Sequence, residues 1–427
     1  MSFTSAVRPV RVAGLLSSIA TALMIAGTAA SLSAQDTPVT IRASTLIDGR
    51  GNSRANVDIV VAQGKVISVT PSAHAVPAGR FIDLRGRTVM PGLIDAHAHV
   101  TWYFNRSGRF HTNGDGDTPV QSMLAAAANA YATLNAGFTT IQSPGAREDA
   151  DLRDWIATQG LPGPRILTSL QPLQGGSPDT LRAHVNQRKQ QGADFIKIFA
   201  SASIRDGGAQ TMSDEQLAAA CGEAKKLGLR TLVHAHSAES MKAATLAGCT
   251  QIEHGIFATQ DVLDLMATKG TYFDPQCALV FRNYLDNRVK YDGIGNYNAE
   301  GFASMEKALP LAVATIQKAN RTPKLKVLYG TDAVAGAHGR NAEDFLCRVQ
   351  QAHEAAMHVI TSATSLNAEA MGLGTSIGSI TAGYEADIIA VDGNPLRDIT
   401  AIRRVSFVMK GGRVVRNDAV AIAPAKR

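Results

Sequence analysis

Two histidines one residue apart close an apolar run, Pro91-Gly92-Leu93-Ile94-Asp95-Ala96-His97-Ala98-His99. In an extended strand residues i and i+2 share a face, so both imidazoles point at one spot. Nitrogen donors that converge on a point are what a divalent cation requires. Four more groups sit inside or at the end of strand-like runs: Lys197 in Phe195-Ile196-Lys197-Ile198-Phe199, His234 in Leu232-Val233-His234-Ala235-His236, His254 in Ile252-Glu253-His254-Gly255, and Asp332 in Gly330-Thr331-Asp332-Ala333. A lone histidine on an apolar strand is usually a satisfied core residue. Four of them, with a lysine and an aspartate at corresponding places, point instead to metal-dependent hydrolysis.

Lys197 is the least expected member. Alternation puts Phe195, Lys197 and Phe199 on one face of the run and Ile196 and Ile198 on the other, so the amine projects among apolar neighbours. A buried, unpaired ammonium is costly and tends to lose its proton. Two readings stay open. The amine is neutral and adds CO2, giving a carbamate whose two oxygens bridge two cations, or it is paired with a carboxylate such as Asp194 or Asp332. His234 and His236 repeat the H-x-H spacing where one further ligand suffices, which leaves His236 to support the site or to face substrate.

These groups need a scaffold that delivers them to one place. From about 91 to 375, strand candidates alternate with helical stretches. The strands are 92–97, 139–143, 165–169, 194–199, 231–234, 251–254, 271–274 and 327–331. Ser213, Gln216 and Gly228 bracket one helix as N-cap, capping-box partner and stop. Eight strands alternating with helices predict an α/β fold, a (β/α)8 TIM-like barrel with its chemistry at the strand C-termini. Flanking stretches, 35–90 and 376–427, read as short strands with Gly-rich turns and predict one small β-sandwich built from both ends of the chain.

The composition is that of an ordinary globular protein, with 427 residues, 45% hydrophobic and 18% charged. The formal charge of +6 is thinly spread. No basic run with interleaved aromatics is present, so nucleic acid is not an expected partner. Residues 1–34 carry Arg8 and Arg11, then an apolar stretch, then small residues, the pattern of a secretory signal peptide. A membrane anchor is the competing reading. The expectation is an exported, periplasmic or secreted bacterial protein with no stable membrane insertion after signal removal. The four cysteines are widely spaced and read as buried free thiols.

With these motifs the chain resembles the amidohydrolase superfamily, in the imidazolonepropionase-like group that includes Xaa-Pro dipeptidases and ochratoxin-degrading amidohydrolases. The closing segments Gly383-Tyr384-Glu385-Ala386-Asp387-Ile388-Ile389 and Gly393-Asn394-Pro395-Leu396 belong to the same likeness. The resemblance implies that His97, His99 and Asp332 hold one divalent ion, that His234 and His254 hold a second, and that carboxylated Lys197 bridges them, with zinc the leading candidate. It makes Asp332 the proton carrier. It places His338 toward substrate, although a surface-loop role is equally open from the residues alone. Lys197 argues against imidazolonepropionase activity, because those enzymes resemble mononuclear members without a bridging lysine.

The loop after the first strand (Trp102, Tyr103, Phe104, Arg106, Arg109, Phe110, His111) and the loop after the seventh (Phe281, Arg282, Tyr284, Arg288, Lys290) carry aromatic and basic residues. They suit an aromatic, carboxylate-bearing small molecule, with Tyr103 and His236 as candidate contacts, although packing on neighbouring subunits would use the same residues. The expected substrate is an N-acyl amino acid or dipeptide, ochratoxin A included. A mononuclear cyclic-amide hydrolase or deaminase, and a non-catalytic exported binding protein, are the competing readings. A homo-oligomer is expected.

Overall fold

The computed structural model describes residues 38–418 apart from His74 and residues 76–78. The expected signal peptide lies outside the described residues. The first four strands are β1 (Val39–Ile47), β2 (Ser53–Ala62), β3 (Lys65–Pro71) and β4 (Arg80–Pro91). A run of short parallel strands follows: β5 (Leu93–Asp95), β6 (Phe138–Ser143), β7 (Arg165–Thr168), β8 (Phe195–Phe199), β9 (Arg230–Ala235), β10 (Gln251–His254) and β11 (Tyr272–Asp274). The chain returns to the first unit with β12 (Ile388–Asp392), β13 (Val405–Lys410) and β14 (Arg413–Asn417).

Both chain ends meet in one seven-stranded sheet, in the order β14-β13-β12-β4-β1-β2-β3. The expected sandwich is therefore a single continuous sheet. It curls so that the turn at Gly64 meets the segment around Ala386, with Ala386 N bonded to Gly64 O at 2.8 Å and Gly412 N to Ala386 O at 3.1 Å. Ile41, Ile59, Leu84, Ile388 and Phe407 fill the inside of the curl. Neighbouring residues of β12 and β13 alternate outward, as the two-residue period requires. There Ile389, Val391, Val405 and Val408 pack with Phe138, Tyr329 and Phe345 of the second unit.

In the second unit β5-β6-β7 form one parallel sheet and β8-β9-β10-β11 another. Backbone bonds join them at both edges. Leu173 lies between β7 and β8, its N bonded to Lys197 O at 2.8 Å and its O to Phe199 N at 2.9 Å, while Asp194 N reaches Thr168 O at 2.8 Å. Segment 326–333 lies between β11 and β5, with Leu328 N to Phe273 O at 2.7 Å and Ala96 N to Tyr329 O at 2.9 Å. The stretch expected as the eighth strand is here, but it is not a regular one. The Asn367 side chain takes over part of the ladder, accepting from Tyr329 N at 3.1 Å and donating to Ile94 O and Tyr329 O.

The pleat does the positioning. Ile196 and Ile198 are buried against the helix layer with Val233 and Ile252, each worth about 1.5–3 kcal/mol of burial. That register turns Lys197 to the opposite, inner face. The helix at Asp214–Lys226 begins as expected, with the Ser213–Gln216 capping box closed.

The cysteine expectation is overturned. Cys221 pairs with Cys249, and Cys277 with Cys347. Separations of 28 and 70 residues hide contacts that exist only once helices pack over strands.

Candidate metal centre

His97 and His99 leave the end of β5 and are both buried. Their Nε2 atoms lie 3.3 Å apart, and Asp332 Oδ1 sits 3.5 Å from the first and 3.2 Å from the second. Asp95, two residues earlier, holds this geometry. Its carboxylate accepts from His97 N at 3.1 Å, Thr331 N at 3.0 Å, Thr331 Oγ1 and Asn341 Nδ2, so it ties the end of β5 to the segment that delivers Asp332. Burial nevertheless pushes the Asp95 carboxyl up to about 6, against those donors.

The backbone is bent to order at the same places. Asp332 and His254 are non-glycine residues in the left-handed region, at φ 51° and 72°. That conformation is uncommon and is found preferentially at functional sites. Gly330 is required for a different reason: a Cβ there would come within 2.4 Å of the Asp274 carboxylate. A Cβ at Gly145 would lie 2.9 Å from His99 Nδ1.

His234, His236 and His254 form a second group whose ligand atoms lie within 4.8 Å of one another. His236 stacks on His254 with centroids 4.8 Å apart. His234 Nε2 lies 3.3 Å from Ala202 O. Gln276 Oε1, 2.7 Å from His254 Nδ1, fixes that ring and leaves its other nitrogen toward the cavity. Lys197, 1% exposed, lines the same cavity as both groups and donates to Glu253. The amine is thus paired with a carboxylate, the second of the two readings open from sequence, but with Glu253 rather than Asp194 or Asp332. Asp194 instead binds Arg153 and the backbone of Thr168. The other Glu253 oxygen is 3.5 Å from His97 Nδ1.

Burial, reinforced by neighbouring Lys197 and histidines, holds His97, His234 and His254 well below their ordinary value. Burial and then Arg205 push His236 down to about 3. Neutral rings offer lone pairs, the form in which imidazole binds a metal. Polar atoms around the groups are also left over: Nδ1 of His236 and Oε1 of Glu253 are buried without a hydrogen bond, as are the Nδ1 atoms of His97 and His99, whose Nε2 atoms face Asp332. One cluster of two histidines and an aspartate, and one of three histidines, with unpaired polar atoms buried beside them, fit divalent cations. The chemistry of the set is that of zinc or another first-row ion.

These groups line a cavity of about 150 Å³ together with Trp102, Phe199, Ser203, Ile204, Arg205, Val280, Phe281 and Tyr284. Of the loop residues expected to meet substrate, Trp102, Phe281 and Tyr284 are here. Trp102 stacks on His99 at 4.3 Å.

Two expected contacts are elsewhere. Tyr103 is buried with its hydroxyl on Ser122 at 2.8 Å and its ring stacked on His111, and it lines a neighbouring cavity that shares Trp102 as a wall. His338 bonds Trp102 O through Nε2 at 3.1 Å and props that backbone from behind. It is not a wall of the histidine cavity and sits half-buried in its loop. Arg109 is used on the carbonyls of Val289 and Asp292, Lys290 lies over Phe104, and Arg288 over Phe302.

Sequence reasoning missed Glu253, Gln276 and Arg205. Glu253 stands next to His254 in the chain, but its partnership with Lys197 is set by the β8–β9–β10 register. Arg205 carried a weak signal, a cation just before the Gly207-Gly208 pair that follows β8.

Comparison with known proteins agrees with this geometry. Residues 88–415 match the Amidohydrolase family. Ochratoxinase of Aspergillus niger is 25% identical over 89% of this chain and 87% of its own length. Imidazolonepropionase of Xanthomonas campestris pv. campestris is 25% identical over 86% of this chain and 94% of its own. The crystal structure of a Xaa-Pro dipeptidase with bound methionine superposes with a TM-score of 0.80, at 30% identity, over 89% of this chain and all of that one. Such neighbours imply an α/β, TIM-like barrel fold. With its histidines, lysine and aspartate gathered at the strand ends, the chain belongs to the amidohydrolase family and is a hydrolase acting on amide bonds.

Proposed function

We propose that this enzyme is a binuclear hydrolase that releases the C-terminal amino acid from N-acyl amino acids or dipeptides bearing an aromatic group, ochratoxin A among them. The observation that carries the reading is that two ligand groups, His97/His99/Asp332 and His234/His236/His254, share one cavity with Lys197. In this reading His97, His99 and Asp332 would hold one cation, His234 and His254 would hold the other, Lys197 as its carbamate would serve both, and His236 would face substrate.

Bound cations of this kind supply a hydroxide at neutral pH and polarise a carbonyl. The chain's own residues do the rest. Asp332, fixed from behind by its N–H bond to His97 O at 2.7 Å, takes the proton of the attacking water and returns it to the departing amide nitrogen. Without that proton the nitrogen is a poor leaving group. Trp102, Phe199, Phe281 and Tyr284 give the apolar walls an aromatic substrate needs and limit the entry of water.

The carbamate has its own check. Lys197→Ala should lose turnover, and small carboxylic acids with excess metal should restore part of it. Undiminished turnover without acid would remove the carbamate.

Export is part of the proposal, supported by the character of residues 1–34 and by two disulfides, which persist in oxidising compartments. No helix among the described residues is long and apolar enough to cross a membrane. Assembly as a homo-oligomer is supported by Val120, Leu124 and Tyr131, exposed on the helix Pro119–Asn135, and by Trp155, exposed on the adjoining helix Asp149–Thr158.

The deciding experiment is a screen of N-acyl amino acids and dipeptides with the zinc-loaded protein, reading released amino acid. The account expects cleavage of substrates with a free carboxylate and an aromatic group. Turnover confined to cyclic amides or to deamination would replace it with the mononuclear reading.

A further inference from the structure

We propose that Arg205 is the specificity-determining residue that binds the free carboxylate of the amino acid this enzyme releases, an assignment that rests on the hydrolase reading above. Arg205 lies in the short turn Ile204–Asp206, which follows β8 and is capped by Ser203. Its side chain lines the same cavity as the metal-site histidines and Asp332.

The guanidinium is held through Nε and by two aromatic rings. Nε donates to Asn296 Oδ1 at 2.7 Å, and Asn296 is in turn anchored on Asp206. The Tyr297 ring lies 4.1 Å from the guanidinium carbon and the Tyr284 ring 5.6 Å away. Among the described residues neither terminal nitrogen finds an acceptor, and no carboxylate lies within ion-pair distance. A partly buried cation without a counter-ion is costly unless a ligand supplies one. Two parallel N–H groups on a rigid, aromatic-braced plane match a carboxylate in bidentate fashion.

Elimination leads to the same residue. The other basic residue of the cavity wall, Lys197, donates to Glu253, and as the proposed carbamate it would be an anion, so in neither form is it open to a carboxylate. Arg106 pairs with Asp117, and Arg109 is spent on two loop carbonyls. Arg205 is the cavity cation left with an open fork. In an N-acyl amino acid the carboxylate is two bonds from the scissile nitrogen, so a small cavity walled by both Arg205 and Asp332 suits binding at one end and cleavage at the other.

The test compares N-acyl-phenylalanine with the corresponding N-acyl-phenylalaninol, in which the carboxylate is reduced to a hydroxymethyl group. The metal-loaded full chain, Arg205→Met and Arg205→Lys are assayed side by side. Each charge-assisted bond is worth roughly ten- to a hundredfold. Wild type should therefore prefer the carboxylate by at least about 100-fold in kcat/KM, and Arg205→Met should reduce that ratio to below about fivefold through KM. Arg205→Lys, a point charge without the fork, should fall between. If Arg205→Met fails to fold or to hold metal, Arg205→Lys decides alone, an undiminished ratio overturning the assignment. A wild type without preference, or an Arg205→Met protein that keeps it, also overturns it. If wild type cleaves neither compound, the hydrolase reading falls, and calorimetric dissociation constants of both compounds for the same three proteins decide Arg205 separately, by the same ratio.

Discussion

Asp332 illustrates how much one residue is asked to do. It faces both histidines of the first group, occupies a left-handed backbone position, and is the proposed proton carrier. Asparagine tolerates that backbone and keeps the size, so Asp332→Asn should fold with little change in melting temperature. Its kcat should fall by about 10²–10⁴, the usual worth of a positioned acid–base group. Rates within a few-fold of wild type, on a folded and metal-loaded protein, would remove Asp332 from the proton path. At this scale the sequence was most legible where chemistry follows from spacing. His97 and His99 share a strand face, and Lys197 is odd against Phe195 and Phe199. It was least legible where a side chain's partner comes from another strand or loop. Glu253 under Lys197, Gln276 behind His254 and the open fork of Arg205 follow from register, which no local pattern encodes. His338 and Tyr103 lie outside the histidine cavity for the same reason: one bonds Trp102 O and the other lines the adjoining cavity.

The elements matter through the ends they present. Segment 326–333 delivers Asp332 without being a regular strand, so its position depends on braces. One is Arg348, buried in the helix Glu343–Gln350, which donates to Leu328 O at 2.6 Å and pairs with Glu354 at 2.8 Å. Burial disfavours the Glu354 charge, but Arg348, and then His358, outweigh it and hold the carboxyl at about 2. Because the folded value lies below the ordinary one of 4.5, the pair's stabilisation is complete above pH 4.5. It is lost as pH falls toward 2. Glu354→Gln should cost about 3 kcal/mol at neutral pH. In chemical denaturation that difference from wild type should shrink toward zero as pH approaches 2. A difference independent of pH would show that the charge is not what Glu354 contributes. The strands themselves were largely readable as alternating apolar runs. The parallel β1–β4 pairing, and the Asn367 side chain that interrupts the last strand, were not, because both depend on which distant segments meet.

Across the whole molecule the two units are one construction. The sheet carries both chain ends, and β4 runs directly into β5, so the first metal-site histidines hang from the end of the sheet. Two disulfides tie the outer layer down, one joining the helix Asp214–Lys226 to the approach to β10 and the other joining the loop after β11 to the helix Glu343–Gln350. Cross-links closing 28 and 70 residues contribute about 4 kcal/mol each on the chain-entropy account. Reduction of the folded protein should therefore lower its melting temperature markedly, and thiol counting on unreduced, denatured protein should find no free cysteine. Four reactive thiols would contradict the pairing. Cysteine pairing was illegible from the sequence because all four residues sit in ordinary helix or loop contexts far apart in the chain.

In the proposed mechanism these side chains would gather around a pair of cations and cleave an amide with their help. The mechanism's most direct test is a titration of metal-free protein with zinc, following released amino acid from an N-acyl aromatic amino acid against bound metal per chain. The account predicts activity that rises to a plateau at two equivalents. A plateau at one equivalent, or full turnover by the metal-free protein, would contradict it.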